Sequence, residues 1–95
     1  MNKKKAIDRA VLADKYEFTR HALDEMDDDE LTETDVRQAL LHGKVVAELT
    51  DDPRGARYIV RRTRRAQGDQ IEVICRFLPS GYLRVITVYT LGKQS

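Results

Sequence analysis

The chain has no tryptophan, one cysteine and two prolines, and aromatic residues make up only 6% of it. A core built from such a sequence has to rest mainly on Val, Ile, Leu and Ala. A single cysteine cannot close an internal disulfide, which implies a reducing, cytoplasmic setting. Cys75 lies in the apolar run IEVICRFL. It reads as a small buried hydrophobe, because no local motif supplies the base that a thiolate nucleophile needs. No stretch approaches the roughly 18 consecutive apolar residues of a membrane span, so no transmembrane helix and no membrane partner are expected. The N-terminus is basic but lacks an apolar segment, so it does not read as a secretory signal. No GxGxxG, P-loop, CxxC or HExxH motif occurs, and neither a cofactor nor a metal is expected.

What is present is charge and periodicity. Charged residues are 35% of the 95 positions. The length fits one domain over residues 1–95, in which folding buries roughly 65% of the extended chain's surface. Residues 1–5 are polar and basic and read as a frayed tail. Ala6 to Ala13 carries Ile7, Ala10 and Val11 at helical spacing. Thr19 is a suitable N-cap for a second helix from Arg20 to Asp28, with Ala22, Leu23 and Met26 on one face. Thr32 begins a third, and Asp35 three positions on makes a near capping box. Val36, Ala39 and Leu40 form its stripe, and Gly43 suits the residue after a helix end.

Beyond Gly43 the hydrophobic period changes from 3.6 to 2. Val45–Thr50, Arg57–Arg65, Gln70–Leu78 and Tyr82–Leu91 read as strands, separated by the turns DDPRG, QGD and PSG. Helices followed by strands with short turns predict an α+β fold. The expected architecture is two to three N-terminal helices packed on one face of a four-stranded antiparallel sheet. The strands Ile71–Leu78 and Leu83–Tyr89 are apolar on both faces and belong in the centre, while the arginine-rich Arg57–Arg65 belongs near an edge or toward solvent.

The net charge of +1 hides a separation. Residues 1–48 hold 8 Lys/Arg and 12 Asp/Glu, giving −4, and residues 49–95 hold 9 and 4, giving +5. The basic half is almost entirely arginine, whose planar fork of donors suits phosphate. Arg57, Arg62, Arg64 and Arg65, with tyrosines nearby, are candidates for RNA binding through phosphate contacts. Two plainer readings are a solvated strand face and a surface for an acidic protein partner. On the second helix, His21, Glu25 and Asp29 follow one another at i, i+4 and i+8 and share a face. That spacing fits an imidazole oriented by a carboxylate for acid–base work, and also metal ligation. It fits equally a histidine bonded near the helix start beside solvated acids. His42, before Gly43, suits the negative end of the third helix.

The segment FTRHALDEMDDDELTETDV, followed by RYIV and a late VITVY, resembles a bacterial family of small uncharacterised domains with a helix motif H-A-x-x-[RE]-M and a closing strand ending T-V-Y. That family is grouped by fold with BrnT/RelE-like toxins of toxin–antitoxin pairs. The likeness covers roughly Tyr16 to Leu91. The commoner motif has Arg where this chain has Glu25 and Asp29. The resemblance implies helices followed by an antiparallel sheet, and a cofactor-free ribonuclease or translation inhibitor acting on RNA or the ribosome, with a cognate antitoxin as protein partner. Under it, Arg61 and Arg84 would stabilise charge on the phosphate, and His21 or Tyr89 would transfer the proton. Two non-enzymatic alternatives remain open. One is a protein-binding module using the acidic helices or the basic sheet. The other is a homodimer formed through an exposed edge strand.

Overall fold

The structure, a computed structural model, describes residues 2–92; Met1 and Lys93 of the basic segments lie outside them. The order of elements is α1 (Lys3–Leu12), β1 (Tyr16–Phe18), α2 (Arg20–Asp28), α3 (Glu33–His42), β2 (Lys44–Leu49), β3 (Arg57–Arg64), β4 (Asp69–Phe77) and β5 (Leu83–Leu91). The five strands form one mixed sheet in the order β1-β5-β4-β3-β2. β2 to β5 meander antiparallel, as the turn signals predict, whereas β1 lies parallel to β5 with Tyr16, Glu17 and Phe18 opposite Leu83, Arg84 and Val85.

The expected sheet of four antiparallel strands is therefore one strand short. Three residues between two helices are too few to show a period of 2. Their pairing partner lies far along the chain, so local sequence carries no sign of it. The expected frayed tail is also corrected from Lys3 onward, where α1 already begins. Asn2 caps the helix by accepting from the backbone N–H groups of Lys4 and Lys5 at 3.0 and 3.3 Å. Lys4 Nζ is held by Asp8 at 2.5 Å and by the Leu41 carbonyl at 2.7 Å. The basic run is thus stapled to the end of α3.

The other two helix starts follow the sequence reading. Thr19 Oγ1 accepts from Ala22 N–H at 3.1 Å, and Thr32 with Asp35 completes a capping box. One apolar cluster joins the helices to the sheet. Ile7, Val11, Ala22, Met26, Val36, Ala39 and Leu40 meet Tyr58, Val60, Ile71, Val73, Cys75, Leu83, Val85 and Val88. Leu23, predicted for the apolar face of α2, is instead 45% exposed. Cys75 is fully buried, and burial pushes its thiol up to about 12. Such a thiol is no nucleophile at neutral pH.

Gly43 departs from the expected role. Its backbone is extended (φ −81°, ψ −179°), not left-handed. β2 starts at the very next residue, with Lys44 opposite Arg61, so the chain passes from helix to strand with no loop. An added Cβ at Gly43 would strike the Ala39 carbonyl, come within 2.7 Å of the Arg61 carbonyl and lie 2.9 Å from Val60 Cγ1. Glycine is needed here for space, not for backbone freedom.

Candidate functional site

With alternate residues of β3, β4 and β5 turned into the core, the remaining ones face away from it. They carry two polar rows separated by Ile59, Ile74 and Thr87, which are opposite one another. In the first row Arg61, Glu72 and Tyr89 face each other across three strands. Arg61 Nε donates to Glu72 Oε2 at 2.5 Å, and the Tyr89 hydroxyl donates to Glu72 Oε1 at 2.5 Å. Both carboxylate oxygens are engaged, and Glu72 is only 4% exposed. The hydrogen bond to Glu72, with partial burial, raises the Tyr89 pKa. Tyr89 therefore keeps its proton at neutral pH and acts as a donor, not as a base.

The second row lies toward the other end of the sheet. Arg84 pairs with Glu17 at 2.9 Å. Asp52, in the β2–β3 connection, gathers Arg54 at 3.0 Å and Arg76 at 3.4 Å, and Arg57 binds its neighbour Asp51 at 3.1 Å. Hydrogen bonds from Arg54 lower the Asp52 carboxyl to about 2 from its ordinary 3.8. The pKa is depressed in the folded state, so the stability it supplies is present above the unfolded value and is lost as pH falls toward 2. In a melting titration from about pH 5 to pH 2, Asp52→Asn should lose less stability than the wild type. Parallel curves would show that the cluster does not contribute.

α2 serves the sheet directly. β1 covers the outer edge of β5 only as far as Val85. Beyond it, Glu25 Oε1 accepts from Val88 N–H and Asp29 Oδ2 accepts from Thr90 N–H, both at 3.1 Å. Thr19 adds a bond from its hydroxyl to the Ile86 carbonyl at 3.0 Å. The match is geometric. Four residues along a helix rise about 6 Å, and two along a strand about 6.8 Å, so an i, i+4 pair of carboxylates reaches two successive outward N–H groups. Arginine has no acceptor, so arginine at either position could not make these bonds. His21 Nε2 lies 3.2 Å from Glu25 Oε1 and its side chain is 65% exposed. Among the described residues, no group of three or more His, Cys, Asp or Glu is placed to hold a metal ion.

The eight predicted residues thus fall into three groups. Arg61 and Tyr89 come together on Glu72, and His21 joins Glu25, whose charge also acts on Tyr89. Arg84 does not join them. It is five positions before Tyr89, about 17 Å along the strand, and is held by Glu17. Of the arginines expected to meet RNA, Arg57 is tied to Asp51. Arg64 forms a two-point pair with Asp69 at 2.8 and 2.7 Å. Arg62 and Arg65 form no ion pair among the described residues. They border a groove of about 380 Å³ between His42, Lys44 and Val46 on one side and Arg61, Arg62, Thr63 and Arg65 on the other. No carboxylate lines it.

Glu72, His42 and Lys44 are the site residues that sequence reasoning missed. For Glu72 the signal was present. Pairing Arg64 with Asp69 across the hairpin fixes Arg61 opposite Glu72. For Lys44 it was not, because the groove exists only through the abrupt passage from α3 into β2 beside β3. None of the helices among the described residues is long and apolar enough to cross a membrane.

Fold and site together define a small α+β domain with a carboxylate-free cationic groove beside its edge strand. The chain belongs to the family described as Domain of unknown function (DUF4258), which matches residues 18–90. That description names no activity. Comparison with curated proteins and with solved structures gives no match.

Proposed function

We propose that this domain binds single-stranded RNA through the phosphate backbone, and that an effect on translation of the kind its resemblance to RelE-like toxins implies follows from that binding. The observation that carries the reading is the groove. Lys44, Arg62 and Arg65, which form no ion pair among the described residues, all line it, with His42 beside them. A solvated protective face would scatter its charges, whereas a phosphate site gathers them where no acid competes.

Fluorescence anisotropy with a labelled single-stranded RNA at increasing salt tests this. Three phosphate contacts on a single strand should give a slope of log affinity against log salt of about −2. The combined change Lys44→Ala, Arg62→Ala and Arg65→Ala should weaken binding and flatten that slope. The reading fails if the wild type does not bind at low salt, or if the triple variant keeps the full slope.

A second reading, RNA cleavage, is favoured because Arg61 both lines the groove and contacts Glu72. In it Arg61 stabilises charge on the phosphate, Tyr89 donates a hydrogen bond, and His21 moves the proton. The same RNA, run on a gel after incubation, separates the two. Cleavage abolished by Arg61→Ala and retained by Arg84→Ala supports the second reading, and intact RNA throughout leaves binding alone.

A further inference from the structure

We propose that a second hollow, at the β3–β4 hairpin, receives the base of a nucleotide whose phosphate lies in the cationic groove. The inference rests on the RNA-binding reading and names the unit of ligand that the site accepts. The hollow measures about 300 Å³ and shares Thr63 and Arg65 with the groove. The two are therefore neighbouring compartments of one surface, and Arg65 stands between them. Its volume is at the lower end of small-ligand sites, which run from about 300 to 1,000 Å³. That suits one heterocycle, not several.

The two compartments differ in chemistry as the two halves of a nucleotide do. The groove presents cations. In the hollow the outward side chains are Thr63, Gln70 and Leu91, while Arg64 and Asp69 hold each other at two points and turn toward α3, where Arg64 also meets Asp35. Leu91, 37% exposed, supplies an apolar surface. Gly68 and Gly92 also line it, and a Cβ added at either would meet nothing within 4 Å, so backbone lies open to a flat ligand. Gln70 Nε2 donates to Thr63 Oγ1 at 3.3 Å, which holds the amide in place. Its carbonyl oxygen accepts from no described residue, and is free to accept from a base edge. Apolar faces with one fixed polar group at the rim are the requirements for holding an unstacked base.

The test compares two labelled strands by fluorescence anisotropy, a single-stranded oligoribonucleotide and the same ribose–phosphate chain without bases. The wild type should bind the base-bearing strand about fivefold tighter, the lower end of what one held base contributes. Leu91→Ala and Gln70→Ala should each close that gap while leaving the salt slope intact. Two variants are used so that a folding defect in one does not decide the matter. A free nucleoside monophosphate should also displace the strand at lower concentration than inorganic phosphate, and the same strand in deoxyribose form shows whether the sugar matters. Equal affinity for the two strands overturns the base site and leaves the phosphate groove standing. So does a gap that persists in both variants, or equal competition by nucleotide and phosphate. Failure of either strand to bind overturns the RNA-binding reading and this inference with it.

Discussion

Gly43→Ala should destabilise the domain by about 3 kcal/mol, the upper part of the range for forcing a methyl group into a filled interior. The added carbon has nowhere to go. Two of the atoms it meets are backbone carbonyls, those of Ala39 in the last turn of α3 and Arg61 in β3, and the third is Val60 Cγ1 in the core. A long side chain could swing aside, but carbonyls fixed in a helix and a ladder cannot. A chain of this size has roughly 5–14 kcal/mol in total, so the loss is a large fraction of it. It should lower the melting temperature by roughly 12–24 °C. A fall of only two or three degrees would show that α3 and β2 can part without cost. Gly68→Ala, where an added Cβ meets nothing within 4 Å but φ is +70°, is the useful comparison, because it isolates backbone strain from crowding.

Replacing both Glu25 and Asp29 by alanine should cost about 3 kcal/mol, and the loss should concentrate on one strand. Each carboxylate accepts a backbone N–H of β5. Hydrogen bonds to charged groups contribute about 1.5–3 kcal/mol apiece, discounted here because Glu25 and Asp29 are partly exposed. Hydrogen exchange followed by NMR gives the sharper readout. The amides of Val88 and Thr90 should lose protection by a larger factor than those of Val73 and Cys75 in the neighbouring central strand. Uniform loss along the sheet would mean that the acids act through general stability and not as caps of this edge. His21→Ala should leave those amides protected, since His21 touches Glu25 and not the strand.

The helix caps and the strand periods were legible locally, whereas the exposure of Leu23, the extended backbone of Gly43 and the cap at Asn2 were not. Thr19 and Thr32 fix the helix starts by hydrogen bonds within three residues, and the period-2 runs after Gly43 became the meander. What else escaped was non-local. β1 has three residues and draws its partner from the far end of the chain. Glu25 and Asp29 look like solvated acids until β5 is beside them, because a helix face says nothing about what strand edge it will meet. The arginines of β3 and of the turn that follows it show the same limit. Arg57, Arg62, Arg64 and Arg65 are equivalent by composition, yet carboxylates on other elements occupy Arg57 and Arg64 and leave Arg62 and Arg65 to the groove. Alternation along β3 sorts faces and does not reveal which charges are already matched.

The parallel strand β1 and the two capping carboxylates also set the order in which the chain can close. Contacts between this N-terminal region and β5 span 61 to 67 residues, whereas the hairpins joining β3 to β4 and β4 to β5 close over a few. Loop-closure entropy alone separates the two kinds of contact by about 2 kcal/mol. Loop closure therefore favours assembly of the meander ahead of the docking of β1 and α2. In that interval β5 is a bare edge, with the N–H groups of Val88 and Thr90 open to any passing strand. The acids of α2 complete the fold and, in the same act, withdraw a template for aggregation. The time for which that edge stays open is set by how fast a helix near one end of the chain finds a strand near the other.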